Sequence, residues 1–321
     1  MAQKKKFPLW LGLVLALLLL MLLVVVLMAP QTEVGTKQPG SKVPNSPVVE
    51  TPAPAAKYHE KVEEPSIGGL IEALPPEPAF TQSRVNHGLA LIIDDVGYNM
   101  TALKKLLALS VPVAISVLPE GPVADQSARL AHQAGQVVML HLPMQPVDPS
   151  LQMTESFLLE GMSEETVRDI FLRDMARVPF AEGVNNHMGS RLTQLEEPMR
   201  QVMQLCREHD LFYVDSKTSS LSVAAREAES MGVNWASRHF FLDHVMDPDA
   251  MAVEWERARA CVRKGRRCII IAHPRAASVA FLENNLTKED AANMVSIRQL
   301  LRGDAANVKP LQQPEIVKEL H

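Results

Sequence analysis

The 321-residue chain carries a formal net charge of −5, and 47% of its residues are hydrophobic. Without a basic stripe, this balance excludes nucleic acid as the expected partner. The length permits one large domain or two small ones, and three cysteines in so long a chain exclude a small disulfide scaffold.

The first 29 residues contain Lys4, Lys5 and Lys6 followed by an uncharged run from Phe7 to Ala29. About 20 apolar residues span a bilayer core, so the run is long enough to cross one. The basic flank keeps its own end in the cytoplasm and sends the rest of the chain across. A cleaved signal has a shorter apolar region and small residues before the cut. With Met28 next to Ala29, the sequence favours an uncleaved anchor over a signal peptide. Either reading places the bulk of the protein outside the cytoplasm, in the periplasm, anchored to the inner membrane or secreted. Residues 30–83, with PGSKVPNSPVVETPAPAAKYHEKVEEPS and LPPEPAF, have frequent proline and few large apolar side chains. Such a segment buries no core and is expected to be a disordered tether.

From about Arg84 the chain becomes regular. Apolar runs recur as LALIIDD, VAISVLP, VVMLHLP, GVNNHMG, LFYVDS, HFFLDH and CIIIAHP, the fourth having the weakest strand character. Between them lie segments with helical spacing. Asn99 and Ser163 stand as N-caps, Gly135 as a stop, and the first turn after Ser163 is acidic, which suits the helix dipole. Apolar strands alternating with amphipathic helices predict a mainly parallel sheet covered by helices. About seven units over residues 84–302 suit a closed or nearly closed β/α barrel; an open doubly wound sheet is the alternative. No GxGxxG follows the first strand, so a dinucleotide fold has no direct support. Residues 303–321 form a short polar tail. Cys261 and Cys268 flank a helix end that turns into a strand, where plain buried thiols are favoured over a disulfide.

Each apolar run ends in a chemically useful residue: Asp94 with Asp95, His141, His187, Asp215, Asp243 with His244, and His273. In a β/α barrel the C-terminal strand ends meet at one face, which carries the active site. Paired carboxylates are tolerable at that rim if one binds a cation and the other sits near it for proton transfer. Aspartate and histidine suit zinc or a similar divalent ion, and three protein ligands leave a position for an activated water. A separate carboxylate to take a proton and a separate histidine to give one complete the inventory of a metal-dependent hydrolase. The structural alternatives are turn caps for the aspartates, hydrogen-bonded strand ends for the histidines, and a local ion pair for Asp215 with Lys217.

The order of these motifs resembles the NodB-type polysaccharide deacetylases, and more closely their divergent polysaccharide deacetylase branch. The resemblance covers about Arg84 to Arg302 and implies a distorted, NodB-like (β/α) barrel. It implies that in LIIDD Asp94 acts as the base and Asp95 binds metal. In HLPMQ, His141 matches a metal ligand, but Gln145 stands where the family has a second histidine four residues later. His187 in NNHMGSR is positioned to complete a set of Asp95, His141 and His187. The family's Arg-x-Pro-Tyr sequence is absent there, and Arg191 is the candidate for its orienting role. VDSKT places Asp215 at a fourth motif, and IIIAHP makes His273 the general acid.

The resemblance and the location together imply an envelope enzyme that removes an acyl group from a polysaccharide or peptidoglycan-type glycan. Its expected cofactor is a divalent metal, with Zn2+ the ion favoured by the ligand types. Its expected partners are that glycan and, through the N-terminal segment, the membrane. The alternative is a non-catalytic barrel that keeps a metal site and binds glycan or an envelope protein.

Overall fold

The computed structural model describes residues 83–303. The expectations for the anchor at 1–29 and most of the tether at 30–83 lie outside these residues, as does nearly all of the polar tail. Among the described residues no helix is long and apolar enough to cross a membrane.

Eight strands form one parallel sheet: β1 (Gly88–Val96), β2 (Val113–Val117), β3 (Val137–Met144), β4 (Ala181–Met188), β5 (Phe212–Asp215), β6 (Trp235–Ser237), β7 (Phe240–Phe241) and β8 (Arg267–Ala272). Their order across the sheet is β6-β5-β4-β3-β2-β1-β8-β7. Nine helices among the described residues connect and cover them: α1 (Met100–Leu107), α2 (Ala124–Gln133), α3 (Glu164–Arg177), α4 (Glu196–Glu208), α5 (Ala224–Ser230), α6 (Pro248–Arg263), α7 (Ala276–Asn285), α8 (Lys288–Asn293) and α9 (Ile297–Leu300). The weak run GVNNHMG is a full strand, β4, paired on both sides by β3 and β5.

The helix starts follow local chemistry. Asn99 accepts a hydrogen bond from the Ala102 amide at α1, Ser163 from Thr166 at α3, and Asp247 from Asp249 and Ala250 at α6. Each satisfies an amide that the first helical turn leaves without a partner.

The sheet is open and curled, where the sequence predicts a closed or nearly closed barrel. Its two edges, β6 and β7, are successive in the chain, with only Arg238 and His239 between them. One stretch of chain supplies both edges, β6 pairing with β5 and β7 with β8, so neither edge pairs with the other.

Strand alternation divides the core in two. Leu89, Leu91, Ile93, Leu140, Val184, Tyr213 and Ile270 face the helices, in the larger apolar cluster. Ala90, Ile92, Ala114, Met139, Val214, Ile269 and Ile271 form the smaller inner cluster, with Ile297, Leu300 and Leu301 of the C-terminal segment. That segment crosses the N-terminal ends of the strands. Val295 donates to the Leu89 carbonyl, and Arg302 exchanges backbone hydrogen bonds with Trp235. Gly183 belongs to this region because a Cβ there would stand 2.2 Å from the Phe212 ring.

Cys261 and Cys268 form a disulfide, against the expectation of free thiols. The end of α6 turns through Gly265 (φ +67°) directly into β8, which brings the two Cα atoms to 6.2 Å, within bridging range. Cys206 is a buried free thiol.

Candidate metal centre

The alternation that puts Ala90 and Ile92 inside the curl also points Asp94 inward. Ordinary alternation would turn the next residue, Asp95, to the helices. Instead the register of β1 with β2 shifts between Ile93 and Val96, and Asp95 takes a left-handed backbone (φ +56°). Such a bulge re-aims one side chain, and both carboxylates open onto the same cleft of about 280 Å³. The same parity sends His141 of β3 inward after Met139.

Asp95, His141 and His187 converge. Oδ1 of Asp95 lies 3.2 Å from Nε2 of His141 and 3.0 Å from Nδ1 of His187, and the two ring nitrogens are 3.3 Å apart. Despite these neighbours, Oδ1 is buried and accepts no well-directed hydrogen bond. Nδ1–H of His141 is directed instead to Oδ1 of Asn185 at 2.9 Å, which turns Nε2 toward Asp95. Three donor atoms that face one another at these distances are the arrangement of a candidate cation site. The spacing fits: ligands ~2.0–2.1 Å from a tetrahedral ion lie about 3.3 Å from each other.

The electrostatics agree with this. Burial alone would raise the Asp95 carboxyl, but the His141 and His187 nitrogens outweigh it and hold the group well below the usual carboxylate range. Burial would lower His141, yet the Asp94 and Asp95 carboxylates and the Asn185 bond push it up to about 9. The two carboxylates thus favour positive charge on the group beside them.

Asp94 and His273 flank this triad. Asp94 is buried, which raises its pKa against the opposing pull of His141 and of the Asn185 amide. That amide donates to Oδ1 of Asp94 at 2.8 Å. Nδ1 of His273 bonds Oδ1 of Asp243 at 2.9 Å, leaving Nε2 at 3.7 Å from Oδ2 of Asp95. Asp243 is held in turn by the His273 amide at 2.8 Å and the Ser278 hydroxyl at 2.6 Å.

Two sequence candidates stand apart from this group. Arg191 makes a two-pronged ion pair with Glu160, at 2.9 and 2.6 Å. Asp215 has the parity of Tyr213, facing the helices, and is fully buried there. It accepts from the Lys217 amide and the Ser222 hydroxyl, each at 2.9 Å, and pairs with the Lys217 ammonium at 3.5 Å. Gln145 is turned from the metal position. Its Oε1 accepts from the Glu160 amide at 2.6 Å, and its carbonyl accepts from the amides of Arg191 and Leu192. It organises the loop after β3.

Asn185 is the site residue that the motif pattern does not single out. It touches Asp94, His141, Ser116 and Ser216. The signal for it is parity: it lies two residues before His187 on one strand, so the two share a face. Asp243 is visible in the sequence as a strand-end aspartate, but its pairing with His273 depends on β7 lying beside β8.

Comparisons with known proteins agree with this architecture. Residues 91–301 match the family described as divergent polysaccharide deacetylase. The uncharacterized protein YibQ of Escherichia coli K12 is 34% identical over 195 residues, covering 61% of this chain and 61% of that protein. An uncharacterized protein of Haemophilus influenzae is 33% identical over 208 residues, covering 65% of this chain and 72% of its own length. The matched region thus spans under two thirds of the Escherichia coli relative. An uncharacterized Agrobacterium tumefaciens C58 protein of known structure shares the fold at a TM-score of 0.63 and 19% identity, covering 72% of this chain and 94% of that one.

Proposed function

The chain belongs to the divergent polysaccharide deacetylase family, and from that premise we propose that it is an envelope hydrolase removing an acyl group from a glycan with a divalent metal, zinc. The observation that carries this reading is the convergence of Asp95 Oδ1, His141 Nε2 and His187 Nδ1 beside Asp94 and His273. Gln145 does not leave the site a ligand short, because His187 from β4 supplies the third donor.

Asp95, His141 and His187 would hold the ion. When bound, a divalent metal supplies Lewis acidity and lowers the pKa of water. Asp94 takes a proton from the attacking water. Asn185 fixes the Asp94 carboxylate through Oδ1, and the same residue sets the His141 tautomer, so one amide aligns base and ligand together. His273 gives a proton from Nε2 to the departing amine or alcohol. Asp243 steadies the imidazolium through Nδ1, as carboxylates do for catalytic histidines. The orienting role that the sequence offers to Arg191 falls to Asn185.

The curled sheet serves as a distorted barrel of about seven units, with β6 and β7 acting as one broken strand. Residues 84–302 are the folding unit, residues 1–29 the anchor and 30–83 the tether, with the domain in the periplasm. The Lys-flanked apolar run supports that location, as does the Cys261–Cys268 disulfide, since such bonds persist in oxidising compartments.

Release of acetate from an acetylated glycan by the zinc-loaded protein tests the activity. Turnover that stops with chelator and returns with zinc is the expected result; no turnover on any acetylated glycan contradicts it. Protease added to spheroplasts should digest the domain, and a protected domain would reverse the orientation.

A further inference from the structure

A second cleft, of about 560 Å³, adjoins the metal cleft and shares Phe241 and His244 with it. Its volume lies in the ~300–1,000 Å³ range of ligand pockets. Phe240, Phe241, Val245 and Val253 give it apolar walls, and two arginines line it, Arg238 and Arg257. A third arginine, Arg275, lines the metal cleft.

These three arginines are not equivalent. Arg257 is committed to Glu254 at 2.6 Å, the one acidic residue lining the second cleft. Arg238 is half-buried, and its guanidinium bonds only carbonyl oxygens, Ser216 at 2.6 Å and Lys217 at 2.7 Å. It lies 4.6 Å over the Phe241 ring, which itself stacks on His273 with centroids 5.3 Å apart. Arg275 reaches the Asp243 carbonyl at 3.4 Å. Among the described residues no carboxylate lies within ion-pair distance of Arg238 or Arg275. Asp215, Asp94 and Glu254 act on Arg238 only from beyond ion-pair distance, and burial outweighs them. A half-buried guanidinium without a direct ion pair is costly to keep, and its planar fork matches a carboxylate or phosphate. Arg238 carries that cost and Arg275 stands exposed at the rim of the metal cleft, so the two guanidiniums beside the junction of the clefts mark a place for negative charge. A neutral sugar chain would give them nothing to neutralise.

Resting on the hydrolase reading for what occupies the metal cleft, we propose that the glycan carries an oxyanion, a carboxylate or a phosphate, on the unit next to the acylated sugar. That unit sits in the second cleft, and Arg238 and Arg275 hold its charge where the clefts meet at Phe241 and His244.

The test compares acetylated oligosaccharides of equal length that are neutral, carry one uronate carboxylate, or carry one phosphate. Binding is measured by calorimetry on the zinc-loaded, detergent-solubilised full chain bearing Asp94→Asn, so no turnover is needed. At least one charged ligand should bind about tenfold or more tighter than the neutral one, as expected for charge-assisted hydrogen bonds. The preferred charged ligand identifies the oxyanion. The preference should shrink with salt and fall to about threefold or less in Arg275→Gln. Arg238→Lys keeps the charge but loses the fork, and should also reduce the preference; its melting temperature reports on the fold. Equal affinity for neutral and charged ligands overturns the proposal, and so does a preference that survives in both arginine variants. Charge preference without hydrolysis of any ligand by the wild-type chain would refute the hydrolase reading and leave the subsite standing.

Discussion

The inner face of the sheet has two halves built by one alternation and opposite chemistry. Along β1 the inward residues are Ala90, Ile92 and then Asp94; along β3, Val137, Met139 and then His141; along β8, Ile269, Ile271 and then, just past the strand, His273. The half near the N-terminal strand ends is apolar and includes Ile297, Leu300 and Leu301. The other half holds buried polar groups tied to one another through Asn185 and Asp243. Burial of apolar area stabilises the first half. In the second, desolvation costs are offset by hydrogen bonds and, in the metal-loaded protein, by a cation. One strand thus serves stability at one end and chemistry at the other, and substitutions two residues apart should have unrelated effects.

The sharpest contrast lies within β1. Asp94→Asn should lower glycan deacetylation by about 10²–10⁴-fold, the usual worth of a positioned base. Melting temperature and zinc content should stay near wild type. An active Asp94→Asn enzyme would remove Asp94 from the reaction. Two residues earlier, Ile92→Ala should cost about 2–5 kcal/mol of stability, as for other large-to-alanine changes in a fully buried position. At a temperature where the variant is folded, it should still bind one zinc. Loss of zinc from the folded variant would mean that the two halves are coupled.

A smaller effect comes from outside the sheet. Asp174 of α3 is fully buried, and burial raises its pKa to about 6, against the lowering pull of Arg173 and Ser156. Oδ2 has no hydrogen-bond partner. Because the folded-state pKa exceeds the unfolded value, the unfolded chain loses this proton first as pH rises. Stability therefore falls between about pH 4 and pH 6 and then levels off. Asp174→Asn should remove that fall and gain on the order of 1–3 kcal/mol over wild type at pH 7. Denaturant melts at pH 4.5 and pH 7 check this; equal wild-type and variant stability at pH 7 would show that the carboxylate is well solvated.

Much of the fold and site is legible in the sequence because it is local. Caps at Asn99 and Ser163, the run of apolar strands, and the polar residue ending each one need only neighbouring residues to be recognised. Parity also lies in the sequence, and it separates Asp215, grouped with Tyr213, from the inward-facing Val214. The left-handed bend at Asp95 does not follow from parity and decides that both aspartates face one cleft. Three features depend on contacts between distant segments. Glu160 claims both Gln145 and Arg191, Asp243 reaches His273 only because β7 lies beside β8, and the Cys261–Cys268 bridge needs the turn at Gly265. The openness of the sheet belongs with these, because no local pattern tells that β6 and β7 form opposite edges.

Hydrolysis, the roles of Asp94 and His273, and the charged subsite all depend on Asp95, His141 and His187 holding one divalent ion. Zinc content should be measured on full-length protein purified without chelator and resupplied with zinc, for wild type and for His187→Ala. About one equivalent in wild type and a strong loss in the folded variant is the predicted result, since one of three protein ligands is gone. Wild-type protein that stays empty after zinc is supplied, or a His187→Ala protein that binds as wild type does, would contradict it.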